Sequence, residues 1–196
     1  MQTTKIIDLA RERGVIRAAD VEDVGASRTL LPYLAGRGVL RRITRGAYLL
    51  ADRIPENESF LEVAVAVPHG VICLLSALQF HEITTQMPTE AWVAIERGRG
   101  MPVGRGLNLR FVKLQGNAFA EGIEEHESDG VTIRVYSPAK TVVDCFKFRN
   151  RIGLDVAREA LRDAVGQKRA IRDDIWRIAK CCRMARVMRP YLEMVL

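Results

Sequence analysis

The sequence has no hydrophobic run that is long enough to cross a membrane. Its longest apolar stretch, residues 71–78, contains Ser76 and is far shorter than the roughly 20 residues that a spanning helix needs. The first ten residues, MQTTKIIDLA, also lack the apolar core of a signal peptide. We therefore expect a soluble, cytoplasmic protein that does not bind a membrane. Its 196 residues, 48% of them hydrophobic, are enough for one or two domains with a buried core.

Motifs for a metal, a cofactor or catalysis are also scarce. The glycine-rich segment 98–106, expected to be a loop, lacks the G-K-[ST] ending of a P-loop. Lys140 and Asp144, an i, i+4 pair, are interpreted as part of a hydrogen-bond network on a helix surface. The cysteines and histidines have no metal-ligand spacing, and they are Cys73, Cys145, Cys181, Cys182, His69, His81 and His126. The sequence thus predicts no enzyme, no metal site and no cofactor.

Charge is unevenly distributed along the chain, although the net charge is only +6. Residues 1–53 contain 10 lysines and arginines against 6 acidic residues, whereas residues 54–146 contain 7 against 12. Residues 147–189 are basic again, with 13 against 5. Basic segments favour a polyanion such as DNA or RNA, because phosphate contacts supply affinity for any sequence. For the C-terminal segment, solvated arginines on helix surfaces are the alternative.

The first 53 residues have the element order of a winged helix-turn-helix. Three helices are predicted from the spacing of apolar residues, and they cover 3–13, 18–24 and a stretch from Ser27 or Thr29 to Ala35. Residues 39–50 then predict two strands joined by a tight turn at Arg45-Gly46. Three helices followed by such a hairpin are typical of this DNA-binding fold, in which the third helix enters the major groove.

Pro32 determines where the third helix begins. Proline breaks the hydrogen-bond ladder inside a helix but is tolerated in the first turn, where amide groups have no intrahelical partner. A start near Thr29 places Pro32 at the third helical position. We therefore favour this late start, which leaves Arg28 in the preceding turn.

Two groups of side chains in this head are candidates for contacts with DNA. The recognition helix contributes Ser27, Arg28, Thr29, Tyr33 and Arg37, and the hairpin, or wing, contributes Arg41, Arg42 and Arg45. Arg28 is the candidate for a bidentate contact to guanine, because a guanidinium matches the two acceptors of that base. Ser27, Thr29 and Tyr33 are expected to contact phosphate oxygens, and the wing arginines to lie on the backbone or in a minor groove.

Residues 54–196 predict a second, α+β domain with a small sheet and a helical C-terminal part. Ser137-Pro138 is a strong helix start, because serine caps the helix and proline occupies its first position. Residues 116–130 are interpreted as an acidic connection between two strands. Seven basic residues of the C-terminal helices form a candidate surface for nucleic acid or a partner protein, namely Lys147, Arg149, Arg151, Arg158, Arg162, Lys168 and Arg169.

Three segments resemble the AbiEi antitoxin family: SRTLLPYLAGRGVLRRITRGAYLL, GVICLLSALQFHEITTQMPTEAWVAI and VYSPAKTVVDCFKFRNRIGLDVAREAL. The resemblance implies a repressor that binds double-stranded DNA at repeats in its own promoter. It also implies an antitoxin of a type IV, abortive-infection system, acting against a nucleotidyltransferase-like toxin without obligatory direct contact. The alternative function is a winged-helix module that binds protein or RNA and has no specific DNA site.

Overall fold

The computed structural model describes residues 2–84, 86–100 and 106–194, and these divide into two compact units. The first unit comprises residues 2–68 with 106–107 and 126–133, and the second comprises the remaining described residues. The predicted mixed α+β class is confirmed. The predicted boundary after residue 53 stays a prediction. None of the described helices is long and apolar enough to span a bilayer.

The first unit contains the predicted three helices and hairpin. Its elements are α1 (Gln2–Arg13), β1 (Ile16–Arg17), α2 (Ala18–Asp23), α3 (Leu30–Gly36), β2 (Leu40–Thr44), β3 (Ala47–Leu50) and α4 (Glu58–Ala66). The three strands form an antiparallel sheet in the order β1-β3-β2, so that the hairpin gains a third strand that the sequence analysis did not identify. Ile6, Val21, Leu31, Leu34 and Leu40 are among the residues of its apolar core.

The second unit contains most of a five-stranded mixed sheet in the order β6-β5-β4-β8-β7, of which residues 126–128 and 131–133 are assigned to the first unit. Its strands are β4 (Val71–Ile72), β5 (Ala91–Glu96), β6 (Leu109–Leu114), β7 (Ile123–Ser128) and β8 (Val131–Tyr136). The pairs β5–β6 and β4–β8 are parallel, whereas β4–β5 is antiparallel. Its helices are α5 (Leu74–Phe80), α6 (Asn117–Ala120), α7 (Pro138–Lys147), α8 (Arg149–Ile152), α9 (Leu154–Gly166), α10 (Arg172–Cys181) and α11 (Ala185–Met194).

The interpretation of residues 116–130 as a connection is wrong, because this segment contains α6 and β7. The sequence of β7, IEEHES, has no alternation of apolar and polar residues that would predict a strand. None of its six residues is buried. Its turn to β8 is Asp129-Gly130, in which both residues have positive φ angles of 49° and 72°. Two such residues are the requirement of a tight type I′ hairpin turn. The predicted loop 98–106 falls partly on residues 101–105, which lie outside the described residues.

The interpretation of Lys140 and Asp144 as a surface pair is also wrong. The side chains are 0% and 1% exposed, and they form an ion pair inside the second unit. The helix α7 is amphipathic, with Val142, Val143 and Phe146 on its apolar side and Lys140, Thr141 and Asp144 on its polar side. Both sides are buried, so the polar side is covered by other elements of the fold.

Candidate nucleic-acid interface

Hydrogen bonds at the end of α2 fix the chain that leads to the candidate recognition helix. The amide of Gly25, whose φ angle is 70°, donates to the carbonyl of Glu22 (2.9 Å), and the Ala26 amide donates to the Val21 carbonyl (3.0 Å). The Lys5 ammonium of α1 donates to the carbonyl of Val24 (3.1 Å). These bonds satisfy the end of α2 and tie it to α1. The chain that leads into α3 is therefore tied to both α1 and α2.

The start of α3 agrees with the prediction made from Pro32. The N-cap is Thr29 and the helix begins at Leu30, so Pro32 occupies the third position, where its missing amide proton leaves no ladder bond unmade. Arg28 lies in the turn, with its guanidinium 3.8 Å from the exposed carboxylate of Glu22. Arg28 is thus an exposed side chain whose positive charge is partly neutralised by Glu22.

The two faces of α3 differ sharply in character. Leu31 and Leu34 are each 2% exposed and pack in the head core, whereas Tyr33 is 57% exposed. The Arg37 guanidinium lies 6.0 Å from the centre of the Tyr33 ring, at the limit of a cation–π contact. All five predicted residues of this element are exposed, namely Ser27, Arg28, Thr29, Tyr33 and Arg37. The hydroxyls of Ser27 and Thr29 share a 2.8 Å hydrogen bond.

The wing is a short hairpin that separates its three arginines. The Arg45-Gly46 turn joins β2 to β3, and the positive φ angle of Gly46, 80°, supplies the conformation that such a turn requires. Arg42 and Arg45 are exposed, and the Arg42 Nε donates to the Thr44 carbonyl (3.2 Å). Arg41 differs, since its guanidinium pairs with the Glu58 carboxylate and donates to the backbone carbonyl of Arg53 (3.1 Å).

The difference between Arg41 and Arg42 follows from strand geometry. Successive residues of a strand point to opposite faces, so two adjacent arginines cannot both face the same phosphate backbone. Arg41 joins β2 to the start of α4 through its ion pair with Glu58, whereas Arg42 and Arg45 are exposed to solvent. The prediction of a three-arginine wing did not take this alternation into account, and Arg41 differs from the other two arginines because of it.

The segment that carries α3 and the wing has no acidic residue. From residue 24 to residue 51 there are five arginines and neither aspartate nor glutamate, whereas acids stand directly outside the segment at Asp23 and Asp52. Arg37, Arg42 and Arg45 form no ion pair with any described residue. A positive potential therefore persists over this surface, which is the electrostatic requirement for binding phosphates. The acid-free run was visible in the sequence and was not used.

The seven predicted C-terminal residues differ in whether their charges are free. Three of the arginines are ion-paired, Arg158 with Asp155 (3.6 Å), Arg162 with Asp163 (2.8 Å) and Arg169 with Glu82 (2.9 Å). The other four differ in setting: Arg149 donates to a backbone carbonyl, Arg151 lies 5.6 Å from the Phe148 ring centre, Lys147 is half-buried, and Lys168 is exposed.

Most of the titratable groups in the core of the second unit are sealed from solvent. Burial raises the pKa of the Cys73 and Cys145 thiols and of the Tyr136 phenol, with the Asp144 carboxylate adding to each effect. The Tyr136 hydroxyl donates to the Phe119 carbonyl (2.7 Å), and the Lys140 ammonium lies 4.0 Å from the Tyr136 ring centre. Thiols held in the protonated form are poor nucleophiles, so these groups serve packing. No cluster of metal ligands occurs among the described residues.

Comparison with solved structures shows that the fold of this chain has been seen before. No curated protein matches the chain. The chain is similar to a solved structure described as the crystal structure of the RV2827C protein from Mycobacterium tuberculosis, with a TM-score of 0.66 and 13% identity over 97% of this chain and 77% of that one. At this identity the likeness shows the fold alone.

A family model described as transcriptional regulator, AbiEi antitoxin, matches residues 5–51. The matched span runs from α1 to the end of β3 and contains both α3 and the wing. The resemblance to this family is therefore confirmed for the N-terminal region, residues 5–51.

Proposed function

We propose that the protein is a sequence-specific DNA-binding repressor that regulates its own operon. The observation that carries this proposal is the acid-free surface of residues 24–51, in which an exposed helix and a hairpin present Arg37, Arg42 and Arg45 without ion-pair partners among the described residues. A regulator role follows from the family match. The chemistry of the surface indicates DNA as the ligand. Arginines without ion-pair partners suit a phosphate backbone, and the exposed face of the helix beside them suits a major groove.

In this proposal α3 lies in the major groove and the wing lies on the adjacent backbone. Tyr33 and Arg37 are one helical turn apart on the outer face and reach the groove together. Arg28 sits before the first turn, where the N-terminal residues of recognition helices contact bases. Arg42 and Arg45 neutralise phosphates, so they contribute affinity for any sequence, whereas the side chains of α3 select the site.

The antitoxin part of the proposal rests on the family match. We infer that the chain counteracts a nucleotidyltransferase-like toxin without obligatory contact, as a type IV antitoxin of an abortive-infection system. Its test is growth of cells that express a toxin gene from the same operon, with and without this protein. Restored growth in the absence of a stable complex between the two proteins supports this mechanism. Unrestored growth at normal protein levels leaves a regulator without antitoxin activity.

The first experiment measures binding of the purified chain to its own upstream DNA and to scrambled DNA of equal length over a salt series. The two wing arginines assigned to phosphates, Arg42 and Arg45, predict a slope of log K against log salt of roughly −2, at about −0.9 for each neutralised phosphate. Arg42→Ala should weaken both DNAs equally and reduce the slope by about one. Arg28→Ala should cost roughly 1–3 kcal/mol at the specific site and relax one base position.

Arg11→Ala is the matched control, since Arg11 is exposed on α1 and pairs with Asp8 (3.6 Å). It removes the same charge without touching α3 or the wing, so it should change binding less than Arg42→Ala. Equal affinity for the two DNAs would contradict a sequence-specific repressor. That result would favour the alternative, a winged-helix module that binds RNA or protein.

A further inference from the structure

An acid-free basic segment also occurs near the C-terminal end, and the proposed DNA interface uses none of its residues. Between Asp174 and Glu193 the chain has no acidic residue. Cations occur at every third position, namely at Arg177, Lys180, Arg183, Arg186 and Arg189, and all five are exposed. The segment covers most of α10, the turn that follows it and most of α11.

The two outer cations of this segment are neutralised, and the three inner ones are not. Arg177 pairs with Glu121 (2.6 Å) and Asp174 (3.8 Å), and Arg189 pairs with Glu193 (2.9 Å). The inner three, which we call the basic turn, are Lys180, Arg183 and Arg186. They form no ion pair with any residue in the described ranges of the chain. Three adjacent free cations at one helix–helix turn mark a strongly positive point on the second unit.

Backbone geometry places Arg183 at the apex of the basic turn. The α10 helix ends in a Schellman motif, in which the Met184 amide donates to the Ala179 carbonyl (2.7 Å) and the Arg183 amide donates to the Lys180 carbonyl (3.2 Å). Arg183 has a φ angle of 59°, a left-handed conformation that favours glycine. An arginine at this position costs stability and presents its charge outward.

An aromatic ring adjoins the basic turn. Trp176 is one helical turn before Lys180, and the Lys180 ammonium lies 5.9 Å from the ring centre. One part of the indole packs against the core, while the side chain as a whole is only half-buried. A cavity of about 400 Å³ lies between α10 and α11, lined by Trp176 and Leu192 together with Arg172, Asp173, Arg189 and Glu193. The ring therefore borders this cavity, which none of the three basic-turn residues lines, and it adjoins the basic turn through Lys180.

We propose that Trp176 and the basic turn form a binding site for single-stranded nucleic acid. An unpaired base stacks on the accessible part of the indole, and the adjoining phosphates contact Lys180, Arg183 and Arg186. Aromatic platforms beside cations are the usual construction of such sites. A duplex has no free base face to offer, and an acidic peptide has no planar group for the ring. This site is separate from the duplex interface of the head and does not depend on it.

The test uses the full chain and two single strands of twelve nucleotides, oligouridylate and oligothymidylate. The chain has two tryptophans, and Trp92 is 4% exposed, so stacking on Trp176 should quench the accessible part of the fluorescence. Quenching should saturate and weaken with salt, with a slope of about −2 for three phosphate contacts on a single strand. A preference for the ribose strand would identify RNA as the ligand, and equal affinity would identify a site for either strand.

Variants separate binding from folding. Arg183→Gly removes a cation and also relieves the left-handed backbone, so it should raise Tm by about 2–4 °C while reducing the salt slope by about 0.7. Trp176→Leu should weaken binding roughly 5- to 150-fold, the range expected for one lost stacking contact. Arg158→Ala is the matched control, because Arg158 is exposed but paired with Asp155, and its effect should stay below about twofold.

Three results would overturn the proposal. One is Arg183→Gly binding as tightly as the unmodified chain, with the same salt slope. Another is a duplex of the same length that binds more tightly than the single strand and causes no quenching, since such a ligand would bind without contacting Trp176. The third is equal quenching by polyglutamate, which would assign the surface to an acidic protein partner. Arg42→Ala in the head should leave the single-strand affinity unchanged, and a loss there would place the ligand on the head instead.

Discussion

Replacing Lys140 by methionine removes one partner of a fully buried ion pair and leaves the Asp144 carboxylate alone in the core. The two side chains are 0% and 1% exposed, and none of the described residues donates to Asp144 Oδ1. Breaking such a pair on one side costs about 3–5 kcal/mol, because the remaining charge loses its partner but not its burial. Domains of this size are stable by only about 5–15 kcal/mol, so Lys140→Met should lose a large part of the total.

A double-mutant cycle separates the pair from the packing around it. Asp144→Leu should cost about as much as Lys140→Met, since it leaves a buried ammonium beside the Tyr136 ring. The double variant should be more stable than either single one, because apolar replacement of both partners removes the desolvation penalty. The measurement is urea unfolding followed by circular dichroism. Costs that add within about 0.5 kcal/mol would refute the coupling.

The pH dependence gives an independent readout. Burial raises the pKa of Asp144, and Lys140 opposes that shift through its charge and its hydrogen bond. Loss of Lys140 should therefore raise the Asp144 pKa further. A carboxyl whose pKa is higher in the folded state binds more protons there, so the stability of Lys140→Met should fall as pH rises through the raised pKa. Acidification should partly restore it, and the double variant should not respond in this way.

Three further substitutions test single contacts. Gly130→Ala should destabilise the first unit by at least about 2 kcal/mol in thermal melts, because the glycine has a φ angle of 72° and an added Cβ would overlap the backbone oxygen of Arg13; an unchanged Tm would contradict this packing. Arg41→Ala should lower Tm through loss of the Glu58 pair yet leave the salt slope of DNA binding unchanged, in contrast to Arg42→Ala. Tyr136→Phe should cost about 1–2 kcal/mol in urea unfolding, since it leaves a buried carbonyl without its donor, and a neutral effect would count against that bond.

Single residues and residue pairs in the sequence correctly predicted where two helices begin. Pro32 located the start of α3, and Ser137-Pro138 located the start of α7, where the Ser137 hydroxyl accepts a hydrogen bond from the Lys140 amide (3.3 Å). The strand β7 was missed, although Asp129-Gly130 is a strong hairpin signal. Its flanking glutamates concealed the strand, because an exposed edge strand has no apolar alternation to reveal it.

Burial is harder to predict from spacing than helix position is. Lys140 and Asp144 have the spacing of a surface pair and lie on the polar side of α7, so the sequence of the helix alone does not indicate that this side is covered. Predicting burial requires knowing which other elements pack on each side of the helix, and those elements are distant in sequence. The candidate site has the same limitation, because the separate roles of Arg41 and Arg42 depend on where α4 lies.

The distribution of acids, more than the number of bases, determines which cations can bind a partner. The net charge of +6 comes from 30 basic and 24 acidic residues, and many of the acids neutralise particular arginines. Glu58 engages Arg41, and Asp155 engages Arg158. Two of the acid-free segments, 24–51 and 175–192, each present three exposed cations that form no ion pair with a described residue, beside an exposed or half-exposed aromatic ring. Because desolvating an ion pair offsets much of what a new phosphate contact contributes, these two segments rather than the longer list of surface arginines should dominate any salt-dependent binding.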